Sequence, residues 1–391
     1  MSLSSGSVST HLRILRWCGY CRLADGDRTS ARGSLHAVYR AFTLALTSLY
    51  LLQEIVYAYQ VHQDMDKLAR VMFLLLCHVT SIAKQIVFHI KAEQIDEMLG
   101  GLDDPLYNQG VEKHGRLLRV TAARAARFVR AYAGCAVVTC TLWITFPVMY
   151  RVQGQLVEFP FWINVDYKGQ KMFTLVLAYS YYVTTLVGIA NTTMDAFMAT
   201  VLNQCKTQLR IMRMNFECLP QSAEEATRTI PEQSCDSALE RLFKECLQHY
   251  EKITETAKML QDIFGTAILI QFGIGGWILC MAAYKIVSLN VLSVEFASMT
   301  LFISCILTEL FLYCYYGNEV THESERVTQS LYSMEWRRAR LSFRRSLVLV
   351  MERAKRPLRP AAGLVIPLSL DTFIKIIKSS YTFYAVLRQT K

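Results

Sequence analysis

Long apolar runs alternate with polar, charged stretches along the whole chain. Six runs stand out, at residues 37–59, 71–90, 131–150, 172–201, 263–287 and 296–316. Each is long enough, at 1.5 Å rise per helical residue, to reach across a hydrocarbon core of roughly 30 Å. A seventh run, 367–391, opens on Pro367, which the first turn of a helix tolerates, with Ser369 or Asp371 as its cap. From Leu370 to the last residue it contains neither Gly nor Pro. Lys375, Lys378, Ser379, Ser380, Thr382, Arg388 and Gln389 interrupt it. Polar groups at membrane depth are costly unless they face protein or water. Two readings fit this terminal helix. It lines a wet path, or Lys375 and Lys378 anchor one end while Arg388 and Lys391 snorkel at the other. The pattern predicts an all-α polytopic membrane protein with seven transmembrane helices.

The stretches between runs differ in kind. Residues 1–36 read as a polar arm with a short amphipathic piece at 11–17. Residues 91–128 carry Gly100-Gly101 and Asp103-Asp104-Pro105, then a basic helix. Its arginines Arg116, Arg119, Arg124, Arg127 and Arg130 recur at helical spacing. They suit contact with anionic headgroups or, the preferred reading, an extension of the third span. The loop 151–170, with Pro160, Trp162 and Tyr167, forms an aromatic belt or folds back as a lid. Residues 217–237, with Pro220 and Pro231, are the best linker, and 238–261 is an amphipathic helix that feeds the fifth span. Four regions follow: an arm at 1–36, helices one to six at 37–316, cytoplasmic anchor helices at 317–366 ended by Pro357 and Pro360, and the terminal helix at 367–391. Lys and Arg are several-fold more abundant in the arm and odd-numbered junctions than in the even-numbered ones. The positive-inside bias therefore predicts a cytoplasmic N-terminus and an extracellular C-terminus.

Composition sharpens the class. The chain has 391 residues, 52% of them hydrophobic, a net charge of +10 and a mean hydropathy of +0.23. Read by segment, the positive charge belongs to cytoplasmic loops, so no nucleic-acid partner is implied. No cleavable signal peptide is evident in the polar N-terminal stretch. The 12 cysteines fall in apolar segments or cytoplasmic loops, which argues against a disulfide framework. Cys18-Gly19-Tyr20-Cys21 mimics a redox motif but lacks the surrounding βαβ pattern.

No enzyme constellation is present, and no cofactor or metal is expected: there is no phosphate loop, no nucleophile elbow and no metal-ligand histidine spacing. His78 is a ligand contact or a packed histidine bonded to a neighbouring helix. Glu309 is a functional carboxylate or the partner of a lysine such as Lys84. Asn191-Thr192-Thr193 is a glycosylation sequon within a span, where a transferase cannot reach. Aromatic and methionine residues concentrate in the outer halves of the spans: Phe73, Trp143, Phe146, Met149, Tyr150, Tyr179, Tyr181, Tyr182 and Tyr284. Such positions suit a pocket for a small uncharged ligand, or ordinary packing and an interfacial belt.

Several pieces of the last third resemble insect odorant receptors. They are Tyr313-Cys314-Tyr315-Tyr316-Gly317-Asn318-Glu319-Val320, Glu323-Ser324-Glu325, Tyr332-Ser333-Met334-Glu335-Trp336, Pro367-Leu368-Ser369-Leu370-Asp371-Thr372-Phe373 and Ser380-Tyr381-Thr382-Phe383. The related gustatory receptors end in Thr-Tyr, five residues, then Gln-Phe. Thr382 and Gln389 fit that spacing, but Phe383 and Thr390 replace the aromatic partners. The short 217–237 segment also differs from the long loop of the odorant co-receptor, so the resemblance is to an odorant-tuned subunit. It implies a non-selective cation channel, a tetramer with the co-receptor in the cell membrane of a sensory dendrite, opened by a small volatile organic ligand. It places the ligand in the outer half, at Phe73, His78, Trp143, Phe146, Met149, Tyr150, Tyr179, Tyr182 and Tyr284. It makes Tyr332, Trp336, Arg337 and Phe343 subunit anchors, and Lys378, Thr382, Ala385, Val386 and Gln389 pore-lining, on one helix face. The alternatives are a gustatory receptor channel and a metabotropic seven-helix chemoreceptor.

Overall fold

The computed structural model describes residues 2–23, 30–108, 112–154, 157–229, 234–287, 289–291, 293–337 and 339–389. Twelve α-helices are described: α1 Leu3–Gly6, α2 Ser9–Trp17, α3 Ala31–Gln60, α4 Met65–Ile90, α5 Ala92–Gly101, α6 Glu112–Val152, α7 Gln170–Glu217, α8 Leu219–Thr229, α9 Cys235–Val287, α10 Val294–Ser333, α11 Leu341–Ala354 and α12 Leu370–Gln389. Six of them, α3, α4, α6, α7, α9 and α10, are long and apolar enough to cross a membrane. They contain the six runs of the sequence. The terminal helix α12 falls outside this set because Asp371, Lys375, Lys378 and Arg388 dilute its apolar content.

The bundle is organised around α7, against which α6 and α10 lie along much of their length. Helix α9 packs against α4, α12 and α7. Small residues set the close approaches. A Cβ at Gly275 would meet Leu310 at 3.2 Å, so α9 and α10 touch there almost backbone to side chain.

The structure extends or corrects several of these expectations. The N-terminal arm, whose amphipathic piece at 11–17 lies in α2, is packed against the bundle: Ser4, Leu12 and Leu15 are buried, and α1 and α2 pack against α6 and α7. Its serines go inside because they are bonded. Ser4 Oγ donates to the Tyr107 carbonyl at 3.1 Å, and Gln208 Nε2 donates to Ser4 Oγ at 3.1 Å. The 217–237 linker holds helix α8, whose Leu219 and Ala223 are buried four residues apart, while residues 230–233 lie outside the described residues. The helix of the sixth run does not stop where the apolar run ends at residue 316. Helix α10 continues unbroken to Ser333, tied to α7 by Lys206–Glu319 and Arg213–Glu323 ion pairs, each 2.5 Å.

The approach to α12 is a small antiparallel hairpin, Ala361–Ala362 paired with Ile366–Pro367. Pro367 therefore lies in a strand rather than in the helix. Gly363 (φ +57°) and Leu364 (φ +63°) make the turn in the left-handed region. The hairpin docks on α9: Gly363 N–H donates to the Gly265 carbonyl at 2.9 Å, and Ala361 N–H to Gln261 Oε1 at 3.0 Å. Ser369 then caps α12, accepting from Thr372 N–H at 3.2 Å.

Candidate functional site: an aromatic chamber between the helices

A cavity of about 230 Å³ opens between the ends of α3, α4, α6, α7 and α10 near the 151–170 loop. Its wall is mainly aromatic and aliphatic, with Phe73, Leu74, Trp143, Phe146, Tyr150 and Met299 among its residues. Phe302 sits behind them, with its ring centroid 5.9 Å from Phe73 and 5.3 Å from Trp143. Polar groups interrupt the wall: Tyr50 and Ser180 share a hydrogen bond of 3.1 Å, Thr184 lies one turn deeper, and Lys67, Glu158, Lys285 and Glu295 also border the cavity. An apolar chamber with a few directed polar groups holds small, largely uncharged organic molecules.

Residues 157–169 of the loop fold back over this chamber. Val157, Phe159 and Phe161 are buried, and Phe159 and Pro160 line the cavity. Two tethers hold the fold-back. Lys67 on α4 pairs with Glu158 at 2.6 Å, and Trp162 N–H donates to the Gln53 carbonyl at 3.0 Å. Tyr179 donates to the Gln53 side chain at 2.9 Å and so supports the same corner from α7.

The predicted ligand residues divide by position. Phe73, Trp143, Phe146 and Tyr150 line the chamber, and so does Tyr181. Tyr179 stands behind the wall against Tyr50 and Phe161. Met149 and Tyr182 point away and are about half exposed, and Tyr284 is not among the described lining residues. His78 faces a smaller cavity of about 90 Å³ beneath the first, with Leu74, Cys140, Trp143 and Thr184 common to both. Its Nδ1 lies 2.8 Å from buried Glu54 on α3, so the histidine is held by a neighbouring helix.

Glu309 borders the same small cavity and is paired. Lys84 Nζ lies 2.5 Å from Glu309 Oε1 and 2.5 Å from Asp195 Oδ1, and it also donates to Asn191 Oδ1 at 3.0 Å. Tyr313 donates to Asp195. The three ionic side chains are at most 2% exposed. Sequence reading named the Lys84–Glu309 partnership but missed Asp195, whose only signal was an acidic residue inside a 48-residue helix.

On α12, Ser380 faces α9 and donates to the Gly276 carbonyl at 2.9 Å. Lys378, Thr382 and Val386 lie on the opposite, exposed side and Ala385 is half-buried, while the side chain of Gln389 lies outside the described residues. Lys375 pairs with Asp371 at 2.6 Å near the start of the helix. Of the anchor candidates, Tyr332 and Arg337 are exposed and Trp336 is half-buried. Phe343 is turned inward, with its ring 5.0 Å from Phe243.

A bundle of membrane-length helices around a largely aromatic chamber defines a polytopic membrane protein with a cavity of ligand size between its helices. Residues 64–381 match the family model described as 7tm Odorant receptor, and the chain belongs to the odorant receptor family. Among its relatives are Odorant receptor 94a of Drosophila melanogaster, 23% identical over 60% of this chain and 59% of that protein, and Odorant receptor 22b of the same species, 24% identical over 62% and 57%. Odorant receptor Or2 of Anopheles gambiae is 27% identical over 38% of this chain and 39% of its own. The alignments thus span less than two thirds of these relatives' length. The fold is that of the insect olfactory receptor OR5 from Machilis hrabei in complex with eugenol, with a TM-score of 0.83, 15% identity and 98% of each chain covered.

Proposed function

We propose that the chain is an odorant-tuned receptor subunit that forms, with the odorant co-receptor, a ligand-gated non-selective cation channel in the cell membrane of a sensory dendrite. In this reading the N-terminus is cytoplasmic, α12 is the seventh crossing, and the C-terminus is extracellular. The observation that carries the proposal is the roofed aromatic chamber. Burying about 200 Å² of apolar ligand surface there supplies about 5 kcal/mol, which corresponds to sub-millimolar, readily reversible binding. That suits a sensor of volatile molecules. Phe73, Trp143, Phe146 and Tyr150 supply the apolar wall, and Tyr50, Ser180 and Thr184 orient a polar group. His78, Met149, Tyr179, Tyr182 and Tyr284 complete the proposed ligand shell, directly or through their neighbours.

Opening follows if the ligand binds more tightly to the arrangement in which the terminal helices of several subunits stand apart. The exposed face of α12, with Lys378, Thr382, Ala385, Val386 and Gln389, is the proposed pore lining. Tyr332, Trp336, Arg337 and Phe343 form or brace the proposed subunit anchor. The deciding experiment records current from cells expressing the chain with and without the co-receptor, across a panel of volatile organics that includes eugenol. Current is expected only from the pair. Tyr150→Ala and Phe73→Ala shift the dose–response midpoint, and substitutions along 378–389 change conductance or block. An N-terminal tag is labelled only after permeabilisation. Labelling of intact cells, or ligand responses without current, would replace the channel reading with a metabotropic one.

A further inference from the structure

A second cavity, of about 320 Å³, lies between α6, α7 and α10, away from the odorant chamber. Three cations reach it: Arg124 from α6, and Lys206 and Arg210 from one face of α7. No carboxylate is among its described lining residues. Lys206 is partly balanced by Glu319 at 2.5 Å. Arg124 and Arg210 have no ion-pair partner among the described residues. Neutral donors fill the spaces between them, with Asn203 on the same face of α7 and the phenols of Tyr315 and Tyr316 on α10.

Depth along the helices places this cavity. From Phe296, where the sixth run begins, to Tyr316 is about 30 Å of helix, one hydrocarbon thickness. Tyr315 and Tyr316 therefore stand at the membrane boundary, a level that tyrosine favours. Arg124 lies two turns before the third span begins at residue 131. Lys206 and Arg210 lie just past the end of the fourth run at residue 201. The three cations thus lie about 8–14 Å of helix past their apolar runs, at the arginine-rich end of the bundle, and their long side chains reach back toward the headgroup layer. Phe128, one turn from Arg124 toward the membrane, lines the same cavity and is 37% exposed. The cavity therefore has a cationic floor at headgroup depth and an apolar exit toward the acyl chains.

We propose that this cavity is a binding site for the headgroup of an anionic phospholipid. Arg124 and Arg210 hold the phosphate, Lys206 and the tyrosine hydroxyls hold the remaining headgroup oxygens, and one acyl chain lies along Phe128. Guanidinium groups bind phosphate through paired N–H donors, which suits two arginines that line one cavity from neighbouring helices with no ion-pair partner among the described residues. The site makes anionic lipid a bound component of the bundle, bridging α6, α7 and α10.

The test is native mass spectrometry of the purified full-length chain titrated with phosphatidylserine or with phosphatidylcholine of the same acyl length. Wild type should retain phosphatidylserine preferentially. The pair Arg124→Gln/Arg210→Gln should weaken that retention about thirtyfold, from a factor of about five per basic group. The control pair Arg127→Gln/Arg130→Gln removes the same charge from the same end of the bundle and should leave retention near the wild-type level. Equal losses in the two pairs would mean diffuse attraction and no site, and no loss in the first pair would also refute the proposal. Displacement of the lipid by inorganic phosphate at matched concentration would reassign the cavity to a soluble anion. Should the first pair fail to elute as a monodisperse species, the wild-type preference itself decides: equal retention of both lipids rejects the site.

Discussion

Replacing Lys84 by methionine tests the ionic centre of the bundle. Methionine keeps the length and much of the volume of the lysine stem, so the change is chiefly electrostatic. Lys84 is fully buried, and its ammonium serves Asp195, Glu309 and Asn191 at 2.5, 2.5 and 3.0 Å. Its removal leaves two carboxylates facing each other inside the bundle. Asp195 Oδ2 already lacks a partner among the described residues, and Tyr313 alone would remain as a donor to the pair. Breaking a buried ion pair by deleting one member costs about 3–5 kcal/mol, mostly the penalty of the charge left behind. Glu309→Gln is the contrasting change. It leaves Lys84 and Asp195 matched one to one, and the amide oxygen still accepts from Nζ, so the cost is about 1 kcal/mol. The double variant removes one charge of each sign and regains part of the loss, with a coupling of about 1–3 kcal/mol. Thermal unfolding of the detergent-solubilised full-length chain, followed by the monodisperse fraction on size exclusion, ranks the three. A Lys84→Met midpoint equal to wild type, or Glu309→Gln as damaging as Lys84→Met, would refute the reasoning.

Three further outcomes are expected. Gly317→Ala places a methyl 2.6 Å from the Leu368 carbonyl oxygen, where the chain enters α12, and should abolish currents while leaving the six-helix core folded by circular dichroism. Burial pulls His11 and His249 down to about 4, whereas the unfolded chain protonates them near 6.5. The unfolded state then binds more protons as pH falls through that window, so stability present above 6.5 is lost toward 4, by on the order of 1–2 kcal/mol per histidine near pH 5. His249 bonds Gln208 at 2.9 Å, and His249→Gln should flatten the fall in thermal midpoint between neutral and mildly acid pH; an unchanged slope excludes that residue. Phe159→Ala removes part of the roof over the aromatic chamber and should raise the ligand midpoint without loss of maximal current, whereas an unchanged midpoint would remove the roof from the binding account.

What was legible in the sequence follows from what sets each feature. Membrane-length helices are set by local apolar content over about twenty residues, and all six such runs were readable. Burial of polar residues is set by partners remote in sequence. Ser4 is hidden by Tyr107 and Gln208, and Asp195 by a lysine 111 residues away, so neither could be placed from its own neighbourhood. The chamber shows the same division within single helices. Hydropathy and charge fix how deep a residue lies, and the aromatic concentration at one end of the spans was visible for that reason. Rotation about the axis is a different matter, because each step along a helix turns the side chain by about 100°. Tyr181 lines the chamber, while Tyr182, at nearly the same depth, turns outward. Tyr150 lines it and Met149 does not. The rotation of α6 and α7 is set by their long mutual contact and by close packing such as that at Gly188, where an added Cβ would meet Cys140 Sγ at 3.5 Å, which no single helix encodes. Ligand specificity in such a bundle is therefore a property of helix pairs: a substitution at a helix–helix seam that rotates α6 or α7 by a fraction of one residue step can exchange which aromatic faces the ligand, with no change to the lining residues themselves.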